Sequence, residues 1–203
     1  MKKTFSILAL VVVISSSCFY FFTSQPKNIF DEIYQETEQT YLGNNVFNKL
    51  KDVEVHKYQE YSDDSKFYPS IVYERNALPD SYEKIAIDFN FKSEAQLSLI
   101  SFEKRIESNV SIKMWTVYSH KERSLKKFVK IVLKKAGTKN YIEDEAQVKS
   151  YLEQYGITAK DLDSYYDEIV NQKVLKDWCS IYDSKYSPSN YGDVKIETQW
   201  ENW

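Results

Sequence analysis

Imidazoles are the side chains best placed to carry protons or hold zinc near neutral pH, and this 203-residue chain has two, His56 and His120. Neither stands in the H-x-x-x-H or H-E-x-x-H spacing that lets two rings share one metal. His56 lies in the alternating stretch DVEVHKYQEY and His120 opens the charged turn His120-Lys121-Glu122-Arg123, so both read as surface residues. Asp161, Asp163 and Asp167 resemble a carboxylate ligand cluster. On a helix the first two diverge by about 200°, and acids at a helix start are favoured by its dipole without any ligand. Asp63-Asp64 and Glu143-Asp144-Glu145 lack the alternating ligands and central glycine of a calcium loop. Cys179 follows Trp178 with no histidine nearby and reads as a buried thiol. Four glycines in the whole chain leave no phosphate-cradling loop. No catalytic residue, metal or cofactor is therefore expected. A hydrolase would need a cleft converging Asp88 or Glu103 with His120.

Contact chemistry is far better represented. The chain holds 17 Tyr and 11 Phe, and tyrosine offers large contact area at low entropic cost, which suits protein recognition. The same rings could equally fill a helix-on-sheet core with their hydroxyls at its margin. In KIAIDFNF (84–91), Ile85, Ile87, Phe89 and Phe91 share one face, which leaves Lys84, Ala86, Asp88, Asn90 and then Lys92 on the other. In VSIKMWTVYS (110–119) the same alternation turns Val110, Ile112 and Met114 inward and Lys113, Trp115 and Val117 outward. Lys84, Asp88, Asn90, Lys113 and Trp115 thus make up a candidate binding face, with Trp115 as its hot spot.

The elements that must carry this face follow from periodicity. Residues 29–42 place Ile29, Phe30, Ile33, Tyr34, Thr37 and Tyr41 at helical spacing, with Gly43 as a stop. A β-rich middle follows in 52–61, 70–75, 84–91, 96–106 and 110–119, the last two joined by a turn at Ser108-Asn109. Short connections imply an antiparallel meander. SLKKFVKIVLKKAG (124–137) sets Leu125, Phe128, Val129, Val132 and Leu133 on a helical stripe ending at Gly137. EDEAQVKSYLEQYG repeats that scheme with Gly156 as its stop. Thr158 is placed as an N-cap three residues before Asp161, ahead of Leu162, Tyr165, Tyr166, Ile169, Val170, Val174 and Trp178. DVKIETQW alternates again and could add a terminal strand. The expected class is α+β, an antiparallel meander with helices packed on one face, preceded by a single N-terminal transmembrane helix.

That N-terminal helix rests on KKTFSILALVVVISSSCFYFF. Phe5 to Phe22 is 18 residues without a charge, or about 27 Å as a helix, enough to span a bilayer. A cleaved signal with a site at Ser15-Ser16-Ser17, or a lipoprotein signal using Cys18, stays open. Phe19, Tyr20, Phe21 and Phe22 favour a retained anchor at a membrane interface, with residues 1–27 as anchor and 28–203 as one domain. Lys2 and Lys3 before the run, and only Lys27 close behind it, place the N-terminus inside and residues 28–203 outside. Lys2, Lys3 and Lys27 are the basic residues before Asp31, so the exported part carries 24 of the 27 basic residues against all 30 acidic ones, a formal charge of −6. That balance disfavours nucleic acid and suits a basic protein partner. Cys179 is alone outside the membrane run, so the domain must hold by packing.

The basic start, the apolar anchor, the NIFDEIYQE stretch just outside it and the Tyr-rich acidic α+β domain resemble the TipC-family immunity proteins of streptococci. The resemblance covers most of the chain. It implies a protein displayed on the outer face of the cytoplasmic membrane that binds, without enzymatic activity, a cognate toxin secreted by a type VII system. In that family the toxin degrades the lipid-linked cell-wall precursor. A different class of function, an envelope-associated ligand-binding ectodomain, would call for a sizeable apolar pocket.

Overall fold

The computed structural model describes residues 25–41, 53–61, 67–75, 81–86 and 96–203, and the side chains of 25–35, 81–82 and 100–203 among them. Residues 1–24, which hold the apolar run of the expected anchor, and Gly43 lie outside the described residues. Among those described, no helix is long and apolar enough to cross a membrane.

The fold is mixed α+β. Helix α1 (Ile29–Tyr41) leads to a two-stranded antiparallel ribbon, β1 (Val53–Tyr61) with β2 (Phe67–Arg75). The main sheet follows in the order β3 (Tyr82–Ala86), β4 (Gln96–Glu107), β5 (Val110–Ser119), β6 (Ser124–Lys135) and β7 (Thr138–Ile142), each antiparallel to the next. Then come α2 (Glu145–Gln154), α3 (Ala159–Tyr166), a π-helical segment (Asp167–Leu175), α4 (Lys176–Tyr182) and β8 (Lys195–Thr198). The antiparallel meander is as its alternating, tightly connected strands require. The strand expected over 84–91 is described as far as Ala86, and Ile87, Asp88, Phe89, Asn90 and Phe91 lie outside the described residues.

Residues 124–137 overturn the helix expected there. They form the central strand β6, paired with β5 from Ser124↔Ser119 to Leu133↔Val110. The sequence carries two apolar periods at once, because Leu125, Val129, Ile131 and Leu133 also share one strand face. Pairing to β5 on one side, and to β7 and β8 on the other, decides for the strand. Gly137, read as a helix stop, is the second residue of a two-residue hairpin turn. Ala136 at φ 50° and Gly137 at φ 82° are both left-handed, as a type I′ turn demands. The outer edge of β6 is shared. Ile131–Lys135 pair with β7, whereas Ser124–Lys127 pair with β8 in parallel, so the terminal strand does join the sheet.

Helices cover one face. Ile112, Met114 and Tyr118 of β5, Leu125, Val129 and Ile131 of β6, and Ile100 and Phe102 of β4 are buried together with Val148, Leu152, Leu162, Tyr166, Ile169, Val170, Val174, Leu175 and Trp178. In the π-helical segment the buried pairs Ile169-Val170 and Val174-Leu175 are five residues apart. A π-turn closes over five residues, so each pair meets the sheet one turn below the last, where a 3.6-residue pitch would rotate the second pair away. Helix α3 starts as its sequence requires. Thr158 caps it, with its Oγ1 accepting from the Asp161 amide at 3.3 Å and the Asp161 carboxylate accepting from the Thr158 amide at 2.8 Å.

Helix α1 is clamped to the far end of the chain. Ile29, Phe30 and Ile33 are fully buried. The Ile29 amide donates to the Tyr191 carbonyl at 2.8 Å and the Asp193 amide to the Lys27 carbonyl at 2.9 Å. Between them Gly192, at φ 92°, sits so close that a Cβ would lie 2.8 Å from the Lys27 carbonyl oxygen. Only glycine fits that position. Below it the Glu32 carboxylate accepts from Trp178 Nε1 at 3.2 Å and from Ser184 Oγ at 2.6 Å. Burial pushes the Glu32 carboxyl above the usual range, against these hydrogen bonds and nearby Lys185.

Candidate interaction face

The sheet face opposite the helices is built in rows by strand register. Lys84 of β3 stands opposite Glu103 of β4, Glu103 opposite Lys113 of β5, and Lys113 opposite Lys130 of β6. The neighbouring row runs Ala86, Ser101, Trp115, Phe128, and one on the other side runs Arg105, Ser111, Val132, Tyr141. Lys113 and Trp115, two of the five residues expected on the binding face, stand two apart on β5 and share one face, and Lys84 is paired by its backbone in the Lys113 row. Asp88 and Asn90 lie outside the described residues. The inward set Val110, Ile112 and Met114 is buried, and Lys113, Trp115 and Val117 are half-buried, as their alternation requires.

Trp115 stacks on Phe128 with ring centroids 5.2 Å apart and planes 20° apart. The Lys130 ammonium lies 4.9 Å from the Trp115 ring and 4.6 Å from that of Tyr141, and it also pairs with Glu143 at 2.5 Å. Tyr141 is 45% exposed. The face thus presents aromatic surface held in place by a cation, an arrangement common at protein interfaces.

The face is concave. Lys139 Nζ of β7 lies 2.8 Å from both Glu103 oxygens of β4, although β5 and β6 separate those strands by about 14 Å of flat-sheet spacing. Such a bridge requires the sheet to curl toward this side. Ser111 and Val132 on this side are fully buried. The Ser111 hydroxyl has no hydrogen-bond partner among the described residues.

Sequence reading missed Phe128, Lys130, Lys139 and Tyr141. Its helix over 124–137 removed the strand that carries the first two, and β7 went unseen in a charged stretch. The cleft that would have revived a hydrolase is not formed by Glu103 and His120, since Glu103 is clasped by Lys139. His120 is also no plain surface residue. Its Nδ1–H donates to Asp31 at 2.7 Å and its ring stacks on Tyr34 at 4.9 Å with planes 5° apart. Asp161 is used as a helix cap, Asp163 accepts from Trp200 Nε1 at 2.9 Å and Asp167 accepts from Asn171 at 2.8 Å. Among the described residues no group of three or more His, Cys, Asp or Glu side chains could hold a metal ion. Cys179 is half-buried, donates to the Tyr186 carbonyl at 3.6 Å, and has its thiol pKa raised by burial. A pocket bordered by Ser81, Arg105, Ile106, Glu107 and Ser108 is shallow and open to solvent.

An acidic α+β domain with helices on one side of its sheet and a concave, aromatic face on the other has the build of a protein-binding module. The chain belongs to the TipC immunity protein-like family, whose model matches residues 2–199. Among solved structures it is similar to TipC2 from Streptococcus intermedius B196, with 63% identity, a TM-score of 0.80, and coverage of 88% of this chain and 99% of that one. Among curated protein sequences none matches the chain significantly.

Proposed function

We propose that this protein is a membrane-anchored, outward-facing immunity protein that binds and neutralises a cognate secreted toxin, one that attacks the lipid-linked cell-wall precursor. Family membership across residues 2–199 carries the reading. The concave aromatic face supports it. Trp115, Phe128 and Tyr141 would supply buried contact area, and the domain's net acidity would speed approach of a basic toxin. Protection comes from occupying the toxin, with no chemistry performed by this chain. Residues 1–27 would hold the domain at the outer surface of the membrane, which raises its concentration where the toxin arrives.

The test is expression in a sensitive cell with the cognate toxin directed outside. Rescue, together with a complex measurable by calorimetry, is the expected result; no rescue and no complex would sink the reading. Confining residues 28–203 to the cytoplasm should abolish protection, and continued protection there would refute the proposed topology.

A further inference from the structure

Where the described chain begins, Gln25, Lys27, Asp31, His120, Lys121 and Arg123 border a pocket of about 250 Å³. That is below the roughly 300–1,000 Å³ of drug-sized sites and suits a small group. The carboxylate inside is turned inward. Asp31 is 2% exposed, its Oδ1 accepts from the Tyr118 hydroxyl at 2.5 Å and from His120 Nδ1 at 2.7 Å, and its Oδ2 accepts from the Lys27 amide at 3.0 Å. What remains at the rim is cationic. Lys121 is exposed. Arg123 pairs with Asp193 at 2.7 Å, but both side chains are largely in solvent, where such a pair is weak and leaves most guanidinium donors available. Glu122, within the same turn, is drawn back to Ser124. Asp31 and Tyr34 fix the His120 ring, so its second nitrogen points away from the carboxylate.

Gln25 stands three residues beyond Phe22, the end of the apolar run, or about 10 Å of extended chain. In a domain of formal charge −6, the pocket lining itself sums to +2, Lys27, Lys121 and Arg123 against Asp31, beside the segment that would enter a bilayer.

We propose that this pocket binds a phosphate ester, and that the source within reach is the headgroup of an anionic lipid at the membrane surface. The choice of source rests on the anchor reading above; the pocket's preference for an anion does not. Lys121 and Arg123 would meet the phosphate oxygens, with Lys27 and His120 closing the site as charge-assisted donors.

The full chain, placed in nanodiscs of phosphatidylcholine alone or mixed with phosphatidylglycerol, supplies the test. Amide exchange over Ser119–Ser124 should slow about tenfold with the anionic lipid, and the His120 imidazole resonances should shift. Lys121→Gln together with Arg123→Asn should remove both effects; asparagine is chosen because Arg123 sits at φ 49°, a region it tolerates. Lys160→Gln, outside the pocket, should retain them. A second arm adds soluble glycerol phosphate to the chain in detergent, where insertion plays no part. A response to glycerol phosphate without one to phosphatidylglycerol would keep the phosphate site and overturn the lipid source. No response in either arm, or responses that survive the double substitution, would overturn the proposal. Failure of the chain to insert in nanodiscs, with an intact response to glycerol phosphate, would count against the anchor and not against the pocket.

Discussion

Lys139 and Glu103 bridge two strands that are not neighbours, with the ammonium 2.8 Å from each carboxylate oxygen. The Glu103 side chain is only 9% exposed, whereas that of Lys139 is 41% exposed. The carboxylate thus carries most of the desolvation, and the lysine compensates it from the solvent side.

Lys139→Met should therefore destabilise the fold by about 1–2 kcal/mol, less than a fully buried pair because Lys139 is partly screened. Glu103→Gln in the same background should recover most of that loss. Urea unfolding of the single and double variants measures both; additive losses would mean that the pair does not hold the curl.

Trp115→Ala combined with Asp88→Lys should weaken the toxin complex by at least about 2 kcal/mol, roughly thirtyfold in Kd. Calorimetry gives the affinity, and a thermal scan separates it from loss of the stack on Phe128. Unchanged affinity would move the binding surface to the helical side.

Glu32 binds a proton more readily folded than unfolded, since burial raises its pKa from about 4.5. In that window the native state holds more protons, so stability falls as pH rises from about 4.5 through the higher folded value. Glu32→Gln keeps an oxygen for Trp178 and Ser184 and removes this falling limb. The variant should match the parent at pH 4 and exceed it at pH 7. Glu32→Ala, which strands the buried Trp178 N–H, should lose about 2 kcal/mol at pH 4 and less than that at pH 7, where the parent has already passed down its own limb. Denaturation curves at both pH values decide.

Thr158→Ala should cost about 1 kcal/mol through loss of the helix cap. The Asp161 carboxyl is held below its usual 3.8 by the Thr158 hydroxyl and amide. Its contribution is present above that value and disappears as pH falls through the lower folded one. The acid limb of a stability–pH profile should consequently be shallower in Thr158→Ala than in the parent; identical limbs would show that the cap does not bind the carboxylate in solution.

Local signals in the sequence translated faithfully into structure. The Thr158–Asp161 cap, the Ser108-Asn109 turn and the alternation of β5 each depend on residues within a few positions of one another. The errors arose where two local patterns coexisted or where the deciding partner was remote. Leu125, Phe128, Val129, Val132 and Leu133 make an acceptable helix stripe until β5 and β7 claim the backbone hydrogen bonds of that segment. Tertiary pairing then overrides propensity. His120 meets Asp31 across 89 positions, and Glu103 meets Lys139 across 36, so neither partner could be read from spacing. The π-helical segment was legible only as a helix. Its five-residue repeat differs too little from helical spacing to stand out over nine residues.

The stitch between residues 27–29 and 191–193 has a mechanical consequence. A tug on the chain from residue 25 is borne by Tyr191 and Asp193 through the backbone, and by Ser184 and Trp178 through Glu32. Entry and exit of the domain form one anchorage, so α1 cannot swing as a tether while the body stays put. Severing the chain just before Tyr191 would loosen its front end as effectively as severing it before Asn28.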